Sequence, residues 1–367
     1  MTTETPLRST PLLQAHVDSK ARMVDYAGWN MPVLYTSILE EARGVRSGTG
    51  IFDISHMGRI RISGPNALAL LQKLTSNDVD ALTPSEAQYS LLTNPNGGII
   101  DDIIVYRESS DAFLVVINAG NTAKDLTWIR SHLDSGSQLA DNTAATAMIA
   151  VQGPQAPEMV ASLAGDTGLL ALKRFQYVTG TIAGGAATFC RTGYTGEDGF
   201  ELIVPAQNAG KVWSALKSAG AIECGLGARD ALRIEAGYPL YGHEIDDDTS
   251  PVEAGLMWVV RLEKGEFVGA GNIRSVKEAG PRRKLVGLKS SERQQPRQGY
   301  SIYSGQDNIG TITSGVFSPT RNQSIAMGYV VSACSKPGTP VEIEIRDRRI
   351  GATVCAKKSL LDASSLK

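Results

Sequence analysis

The sequence contains no long apolar run and no excess of charge of one sign. The chain has 367 residues and a net charge of −2 at pH 7, which gives no global basic field to attract nucleic acid. No apolar run approaches the roughly 20 residues that span a membrane. The first 19 residues include Glu4 and Asp18 and lack the apolar segment of a signal peptide. We therefore expect a cytoplasmic protein that binds neither nucleic acid nor a membrane.

Metal-binding patterns are also missing from the sequence. The cysteines are far apart, at Cys190, Cys224, Cys334 and Cys355, and form no C-x-x-C pair. The histidines show no spacing typical of metal ligands. We expect reduced cysteines and no bound metal.

The common nucleotide and hydrolase motifs are absent. Gly225-x-Gly227 lacks the third glycine of a dinucleotide-binding turn, and Gly305 to Thr311 lacks the lysine of a phosphate-binding loop. No G-x-S-x-G elbow occurs. Dehydrogenase, kinase and hydrolase functions are disfavoured accordingly.

The segment from Asn94 to Tyr106 carries two carboxylates where packing alone would place none. A Pro/Asn/Gly turn leads directly into a predicted strand that is apolar on both faces, which indicates burial on both faces. Asp101 and Asp102 lie in the middle of this strand and must point to opposite faces. One explanation is that one of the two carboxylates forms a local turn-type hydrogen bond and the other lies at an exposed edge. The other is that at least one carboxylate faces a polar cavity or a cation, and alternation does not say which.

The order of predicted elements indicates α+β architecture followed by a small β domain. Residues 54–145 read as a strand, a helix, three strands and a helix, and a second α+β unit begins at Ala147. Six short strand-like runs split by Gly, Pro and Asn then predict a small barrel or sandwich: 285–288, 301–303, 310–313, 325–331, 341–345 and 353–356.

Two further stretches carry polar groups that could form a site. Ser55-His-Met-Gly58 interrupts a strand, and Tyr194 to Glu201 is a glycine-rich turn followed by a strand. Arg229 lies on a predicted helix between Gly225 and Gly237. These features, like Asp101 and Asp102, also allow structural explanations.

The structural explanations are specific. His56 fits a hydrogen-bonded core histidine and Met57 a core filler. Glu197 and Asp198 fit a solvated turn, and Arg229 fits a surface pair with a neighbouring acid.

Taken together, the motifs resemble those of the aminomethyltransferase, or T-protein, family of the glycine cleavage system. The match runs from about residue 5 to the final strands, in order and with the family's spacing. Its blocks are F-D-I-S-H-M-G (52–58), G-I-I-D-D (98–102), V-I-N-A (116–119), V-Q-G-P (151–154), G-Y-T-G-E (193–197), G-L-G-A-R-D (225–230), L-R-I-E-A-G (232–237), Y-G (241–242) and T-S-G-x-F-S-P-T (313–320).

The resemblance implies a tetrahydrofolate-dependent enzyme of the α+β class, without a metal, whose partner is lipoylated H-protein. Such an enzyme takes the aminomethyl group from the lipoyl arm, releases ammonia and forms 5,10-methylenetetrahydrofolate. It also implies three domains around a central cavity: two ferredoxin-like α+β units and a C-terminal small barrel or sandwich. We place the folate-binding unit in residues 1–53 and 146–280, the unit with the catalytic aspartate in 54–145, and the C-terminal domain in 281–367.

The resemblance also assigns the site residues one by one. Asp101 corresponds to the carboxylate that faces the reacting folate amines, Glu201 to the pterin-anchoring glutamate and Arg229 to the arginine near the ring. The remaining matches line the same pocket: Met57, Tyr89, Asn118 and Tyr194.

The C-terminus departs from the family pattern. The family usually ends in a Lys-Pro-Phe-Tyr-like segment and a basic residue that reaches the folate, whereas this chain ends in Lys357-Lys-Ser-Leu-Leu-Asp-Ala-Ser-Ser-Leu-Lys367. The C-terminal folate contact is therefore not assigned.

Other functions of the same fold compete with this interpretation. They are a folate-dependent demethylase of another one-carbon donor, a non-enzymatic folate-binding protein of iron–sulfur assembly and the C-terminal part of a flavin-linked oxidase. The iron–sulfur branch carries a cysteine in its K-G-C-Y-like block, which residues 191–197 lack. The flavin-linked enzyme needs an N-terminal dinucleotide fold, which this chain lacks.

Overall fold

The computed structural model describes residues 6–346 and 348–361 and divides the chain into two compact units. The first unit comprises Met1–Pro65, Thr83–Ala87 and Tyr106–Asp230, and the second comprises Asn66–Leu82, Gln88–Val105 and Ala231–Lys367. Each unit therefore draws on separate parts of the sequence. The boundaries of the three predicted domains stay a prediction.

The secondary structure mixes helices and strands, as predicted. The α-helices are α1 (Leu13–Asp18), α2 (Ile38–Ser47), α3 (Ala67–Leu74), α4 (Thr122–Arg130), α5 (Ala156–Ala164), α6 (Ala209–Ser218), α7 (Leu226–Ala236) and α8 (Ala270–Ala279). The strands are β1 (Arg22–Tyr26), β2 (Trp29–Leu34), β3 (Gly50–Asp53), β4 (Gly58–Ser63), β5 (Ala87–Thr93), β6 (Ile99–Arg107), β7 (Ala112–Ile117), β8 (Gln138–Asp141), β9 (Thr146–Gln152), β10 (Tyr177–Ile182), β11 (Gly185–Cys190), β12 (Gly199–Pro205), β13 (Ile222–Glu223), β14 (Arg283–Ser290), β15 (Ser301–Ser304), β16 (Asp307–Ser318), β17 (Gln323–Val331), β18 (Pro340–Ile345) and β19 (Arg348–Cys355). Within the described residues, no helix is long and apolar enough to cross a membrane.

The first unit is built on a six-stranded sheet with the order β10-β11-β12-β9-β3-β13. Strand β13 pairs in parallel with β3, whereas β12 pairs antiparallel with β9. Helices α5 and α6 cover the sheet, and its apolar core includes Ile51, Val151, Phe200 and Trp213. Strand β12, which carries Glu201, is thus central and buried.

The first unit also contains the antiparallel strands β7, β4 and β8, in that order. A separate β1–β2 hairpin precedes α2. Ser37 caps α2, because its side chain accepts a hydrogen bond from the Glu40 N–H.

In the second unit, a tight turn sets the start of β6, the strand that carries Asp101. The Asn94 side chain accepts hydrogen bonds from the N–H groups of Asn96 and Gly98, at 2.9 and 3.1 Å. Gly97 has φ +81°, a conformation that favours glycine. At Gly98, a Cβ atom would lie 1.7 Å from the Asp247 carbonyl oxygen. The close approach therefore requires glycine at position 98, and the left-handed backbone favours glycine at position 97.

The C-terminal part of the second unit is a closed barrel of six strands in the order β14-β17-β16-β15-β18-β19. Each of the six predicted runs falls in one of these strands, except that residue 356 follows the end of β19, and this confirms the predicted small β domain. Its interior is filled by aliphatic side chains such as Leu288, Ile312, Ile343 and Val354.

Two elements form although single residues locally disfavour them. Residues 22–34 form the β1–β2 hairpin with Pro32 inside β2, because proline is tolerated at the edge of a two-stranded ribbon. Helix α8 follows Gly269 and contains Gly271, which lowers its helical propensity.

We expect Gly98→Ala to destabilise the protein by about 1–3 kcal/mol or more, because the new methyl group would overlap the Asp247 backbone. Chemical denaturation measures this free energy of unfolding. Gly210→Ala is the matched control, since no heavy atom lies within 4 Å of its added Cβ on helix α6. Equal stabilities of the two variants would contradict the steric argument.

Candidate active site

Glu201 is a buried carboxylate in the middle of β12. Only 4% of the residue is exposed, and the Thr192 hydroxyl donates to its Oε2 at 2.5 Å. Burial raises the pKa of Glu201, although the positive charge of Arg229 and the Thr192 hydrogen bond act in the opposite direction. Arg229 and Thr192 therefore offset only part of the free-energy cost of burying the charged carboxylate.

Arg229 lies on α7 and covers the ring of Tyr194, with its guanidinium carbon 4.7 Å from the ring centroid. Its Nη1 atom is buried and has no hydrogen-bond partner among the described residues. A buried guanidinium N–H without a partner costs free energy, so a site that leaves one open is suited to a polar ligand.

The Ser55–Gly58 loop contributes Met57, which is half-buried, and His56, which is buried. The His56 ring packs edge-on against Tyr26 with the centroids 5.5 Å apart. Burial lowers the pKa of His56 to about 3, with a further contribution from Arg229, whereas Asp53 opposes the shift. His56 is thus neutral at neutral pH, and its Nδ1 atom has no partner within the described part of the chain.

Asn118 follows directly after β7 and is half-buried. Its carbonyl accepts hydrogen bonds from the Asn121 N–H and the Thr122 hydroxyl, both at 3.1 Å. These bonds fix the turn between β7 and α4 and hold the Asn118 backbone in place.

In the second unit, Asp101 and Asp102 occupy different environments on β6. Asp101 is completely buried on the same side of the strand as Ile99 and Ile103, whereas Asp102 is half-buried. The Tyr89 hydroxyl donates to Asp102 Oδ2 at 2.8 Å. Asp102 therefore holds Tyr89, and the two acids have separate neighbours, as strand alternation requires.

Two aromatic residues that the sequence analysis did not assign to the site lie in the same unit. Trp258 is 57% exposed and stacks on Tyr89, with centroids 5.6 Å apart and planes 11° apart. The pKa of Tyr241 is raised by burial and by Asp247, and Asp101 contributes to the shift. The sequence contained only a weak signal for Trp258, a lone tryptophan between apolar residues in an irregular segment.

The glycine-rich turn after Tyr194 differs from the solvated tip that sequence reasoning offered. Glu197 is largely buried and accepts a hydrogen bond from Arg46 Nη1 at 2.8 Å. The same guanidinium atom donates to the Thr195 carbonyl at 2.8 Å. The turn is therefore tied to α2, which fixes the segment that carries Tyr194.

At the C-terminus, Lys357 is half-buried, and its Nζ atom donates to the Ala254 carbonyl at 2.6 Å. Burial lowers its pKa to about 8, although the Glu244 charge opposes this shift. The last residues of the atypical terminus, 362–367, lie outside the described residues. Among the residues that are described, no group of three or more His, Cys, Asp or Glu side chains could hold a metal ion.

Family comparisons decide the class of the protein. The GCVT N-terminal domain matches residues 12–264, and the glycine cleavage T-protein C-terminal barrel domain matches residues 283–362. The chain belongs to the glycine cleavage T-protein family. Its assignment to this family confirms the resemblance seen in the sequence motifs.

Full-length relatives of the T-protein family support the same conclusion. An aminomethyltransferase of Symbiobacterium thermophilum is 45% identical, over 95% of this chain and 96% of the relative. An aminomethyltransferase of Nostoc sp. is also 45% identical, over 95% of this chain and 94% of the relative. A crystal structure of glycine cleavage system aminomethyltransferase T from Bartonella henselae has a TM-score of 0.90 and 36% identity, and covers 96% of this chain and 98% of that one.

The activity of this T-protein family member is therefore aminomethyl transfer. The relatives favour none of the alternative functions, namely the demethylase, the iron–sulfur assembly protein and the flavin-linked oxidase. The roles of individual residues stay predictions.

We expect Glu201→Gln to raise the melting temperature at pH 8 and to raise it less at pH 5. Since burial raises the folded-state pKa of Glu201 above its ordinary 4.5, the wild type loses stability as pH rises through that folded-state value. The neutral glutamine causes no such loss of stability at high pH, and it still accepts a hydrogen bond from the Thr192 hydroxyl. Calorimetry at several pH values measures the difference.

Glu108→Gln is the control for this pH series, because Glu108 lies at the surface and pairs with exposed Arg61. A stability gain for Glu201→Gln that is independent of pH, or that Glu108→Gln reproduces, would disprove the proposed cost of burial.

Proposed function

We propose that the enzyme transfers the one-carbon unit from the aminomethylated lipoyl arm of H-protein to tetrahydrofolate. The products are ammonia, 5,10-methylenetetrahydrofolate and the dihydrolipoyl carrier. Family membership supports this reaction, and the observation that carries it to this chain is the buried Glu201 carboxylate in electrostatic contact with Arg229. Tetrahydrofolate acts as the acceptor substrate.

Glu201 and Arg229 have the chemistry needed to anchor the pterin ring. A pterin presents neighbouring N–H donors that a carboxylate binds through paired, charge-assisted hydrogen bonds. The Arg229 Nη1 atom, which is buried and has no hydrogen-bond partner in the described part of the chain, offers a complementary donor to a ring acceptor. Ligand binding would therefore satisfy polar groups that the protein leaves only partly compensated.

Asp101 is the proposed catalytic residue. Expulsion of ammonia from the thioaminal passes through an iminium-like cation, and a fixed carboxylate stabilises that charge. Its place on β6, fully buried and held by the Asn94–Gly98 turn, supports a preorganised group rather than a mobile acid or base. The same carboxylate would orient the attacking folate amine.

The remaining pocket residues provide shape and aromatic surface. We propose that Met57, Asn118 and Tyr194 line the folate site, together with Tyr89. In support, Tyr194 is held under Arg229, and Tyr89 is fixed by Asp102 and stacked by Trp258. The three-domain boundaries 1–53 with 146–280, 54–145 and 281–367 belong to this proposal.

Lipoylated H-protein is the proposed macromolecular partner, and the cytoplasm is the proposed location. Cysteines Cys190 and Cys224 are free and buried, and Cys334 and Cys355 are free and half-buried, which supports a reducing compartment. No metal and no nucleic acid take part in the proposed reaction.

We expect Asp101→Asn to fold normally and to reduce turnover about 100-fold or more, because one preorganised charge is lost at the reacting centre. The assay measures methylenetetrahydrofolate formed from aminomethylated H-protein. Asp102→Asn is the matched control on the neighbouring position, and it should lose much less activity because its partner is the Tyr89 hydroxyl. Near-wild-type turnover of Asp101→Asn would refute the catalytic assignment.

We expect tetrahydrofolate to raise the melting temperature, since a ligand that binds only the folded state stabilises it by about 2.7 kcal/mol at 100 times its Kd. Differential scanning fluorimetry under anaerobic conditions measures the shift. The shift should be smaller for Glu201→Gln, which lacks the charged acceptor of the pterin. An absent shift in the wild type would argue against the folate site.

A further inference from the structure

Arg59 breaks the pattern of the strand on which it lies. Its alternation with Ile60, Arg61 and Ile62 predicts that both arginines face solvent. Arg61 does so: its side chain is 44% exposed and pairs with Glu108 at 2.6 Å. Arg59, by contrast, is only 1% exposed. A buried guanidinium requires partners, and those partners indicate what it does.

The guanidinium of Arg59 hydrogen bonds to carbonyl and hydroxyl oxygens of two separate loops. Nη1 donates to the Ser55 carbonyl at 3.0 Å and to the Met57 carbonyl. Nη2 donates to the carbonyls of Thr143 and Thr146, at 2.6 and 3.0 Å, and Nε donates to the Thr146 hydroxyl at 2.9 Å. The planar fork of arginine makes these bonds together, which a lysine ammonium does not reproduce.

These bonds bracket His56 and Met57, the two inner residues of the Ser55–Gly58 loop. The Ser55 carbonyl belongs to the peptide plane before His56, and the Met57 carbonyl belongs to the plane after Met57. Because peptide planes are rigid, holding both carbonyls restricts the backbone torsions between them. One side chain therefore restrains the peptide planes on both sides of His56 and Met57.

A second set of bonds holds the other side of the same loop. The Ser55 N–H donates to Asp53 Oδ1 at 2.9 Å, and the Ser55 hydroxyl accepts from the Met148 N–H at 3.0 Å. Asp53 is in turn fixed by His16, at 2.9 Å, and by the Thr10 hydroxyl, at 2.6 Å. The start of the loop is thus anchored by further groups, whereas at its end the Met57 carbonyl accepts from Arg59 and the Met57 N–H donates to the Ile54 carbonyl at 3.1 Å.

Charge alone does not explain the burial of Arg59. Burial lowers its pKa to about 10, so it remains protonated at neutral pH, and the acids Asp53 and Asp141 oppose that shift electrostatically. Its direct hydrogen bonds nevertheless go to neutral oxygens. The contacts of Arg59 therefore fix the positions of loop carbonyls rather than neutralise a carboxylate.

We propose that Arg59 is a positioning residue for folate binding, which acts through the backbone of His56 and Met57 without touching the substrate. This inference rests on the proposed function, because it takes the Ser55–Gly58 loop to border the folate site. Loss of the guanidinium fork would release the Met57 carbonyl and misplace the loop side chains, and errors of this kind weaken binding strongly.

The test compares Arg59→Lys and Arg59→Met with Arg61→Lys and Arg61→Met in the full-length enzyme. Steady-state kinetics give the KM for tetrahydrofolate and the KM for aminomethylated H-protein separately, and calorimetry gives the Kd for tetrahydrofolate. Melting temperatures define conditions under which every variant is folded. Arg59→Lys keeps the charge and tests the geometry if Arg59→Met does not fold.

We expect Arg59→Lys to raise the tetrahydrofolate KM and Kd roughly tenfold, with the H-protein KM unchanged and both Arg61 variants close to wild type. A lower melting temperature with an unchanged tetrahydrofolate KM would show a purely structural role and overturn the proposal. An equal rise of both KM values would also overturn it. If wild type and the Arg61 variants fail to bind tetrahydrofolate, the proposed function itself fails, and this inference fails with it.

Discussion

The burial of carboxylates inside β-strands is the constraint on which the candidate site depends. An ionised carboxylate removed from water is costly unless charges or donors compensate it. Glu201 receives a hydroxyl hydrogen bond and the field of Arg229, and burial still raises its pKa. Sheet geometry holds this acid, like Asp101, out of contact with water. The burial of Glu201 carries a cost in stability that Thr192 and Arg229 offset only in part.

The parts of the fold that depend on local sequence could be predicted. The barrel strands follow from short aliphatic runs broken by Gly, Pro and Asn, and the Ser37 cap follows from its place before a helical pattern. The β1–β2 hairpin was missed because Pro32 is a strong local break that an edge strand tolerates. Helix α8 was missed because Gly271 lowers the helical propensity of its segment. The helix is supported instead by the packing of Ala270 and Ile273 in the apolar core.

For the candidate site, the sequence could identify residues but not their environments. Motif resemblance selected Asp101 and Glu201, and strand alternation separated Asp101 from Asp102 without assigning roles to them. The stacking of Trp258 on Tyr89 and the bond between Glu197 and Arg46 join residues far apart in the chain. Arg59 is the clearest case, because its strand pattern predicts exposure and only its distant partners explain its burial.

The environment of Lys357 has a practical consequence for chemical labelling. An amine with a pKa of about 8 has a much larger unprotonated fraction at neutral pH than an ordinary lysine, which makes it a better nucleophile toward acylating reagents. Its burial and its bond to the Ala254 carbonyl shield it from such reagents in the folded state. Lys357 is therefore expected to react more slowly with acylating reagents than an exposed lysine, because the burial that lowers its pKa also limits access to the amine.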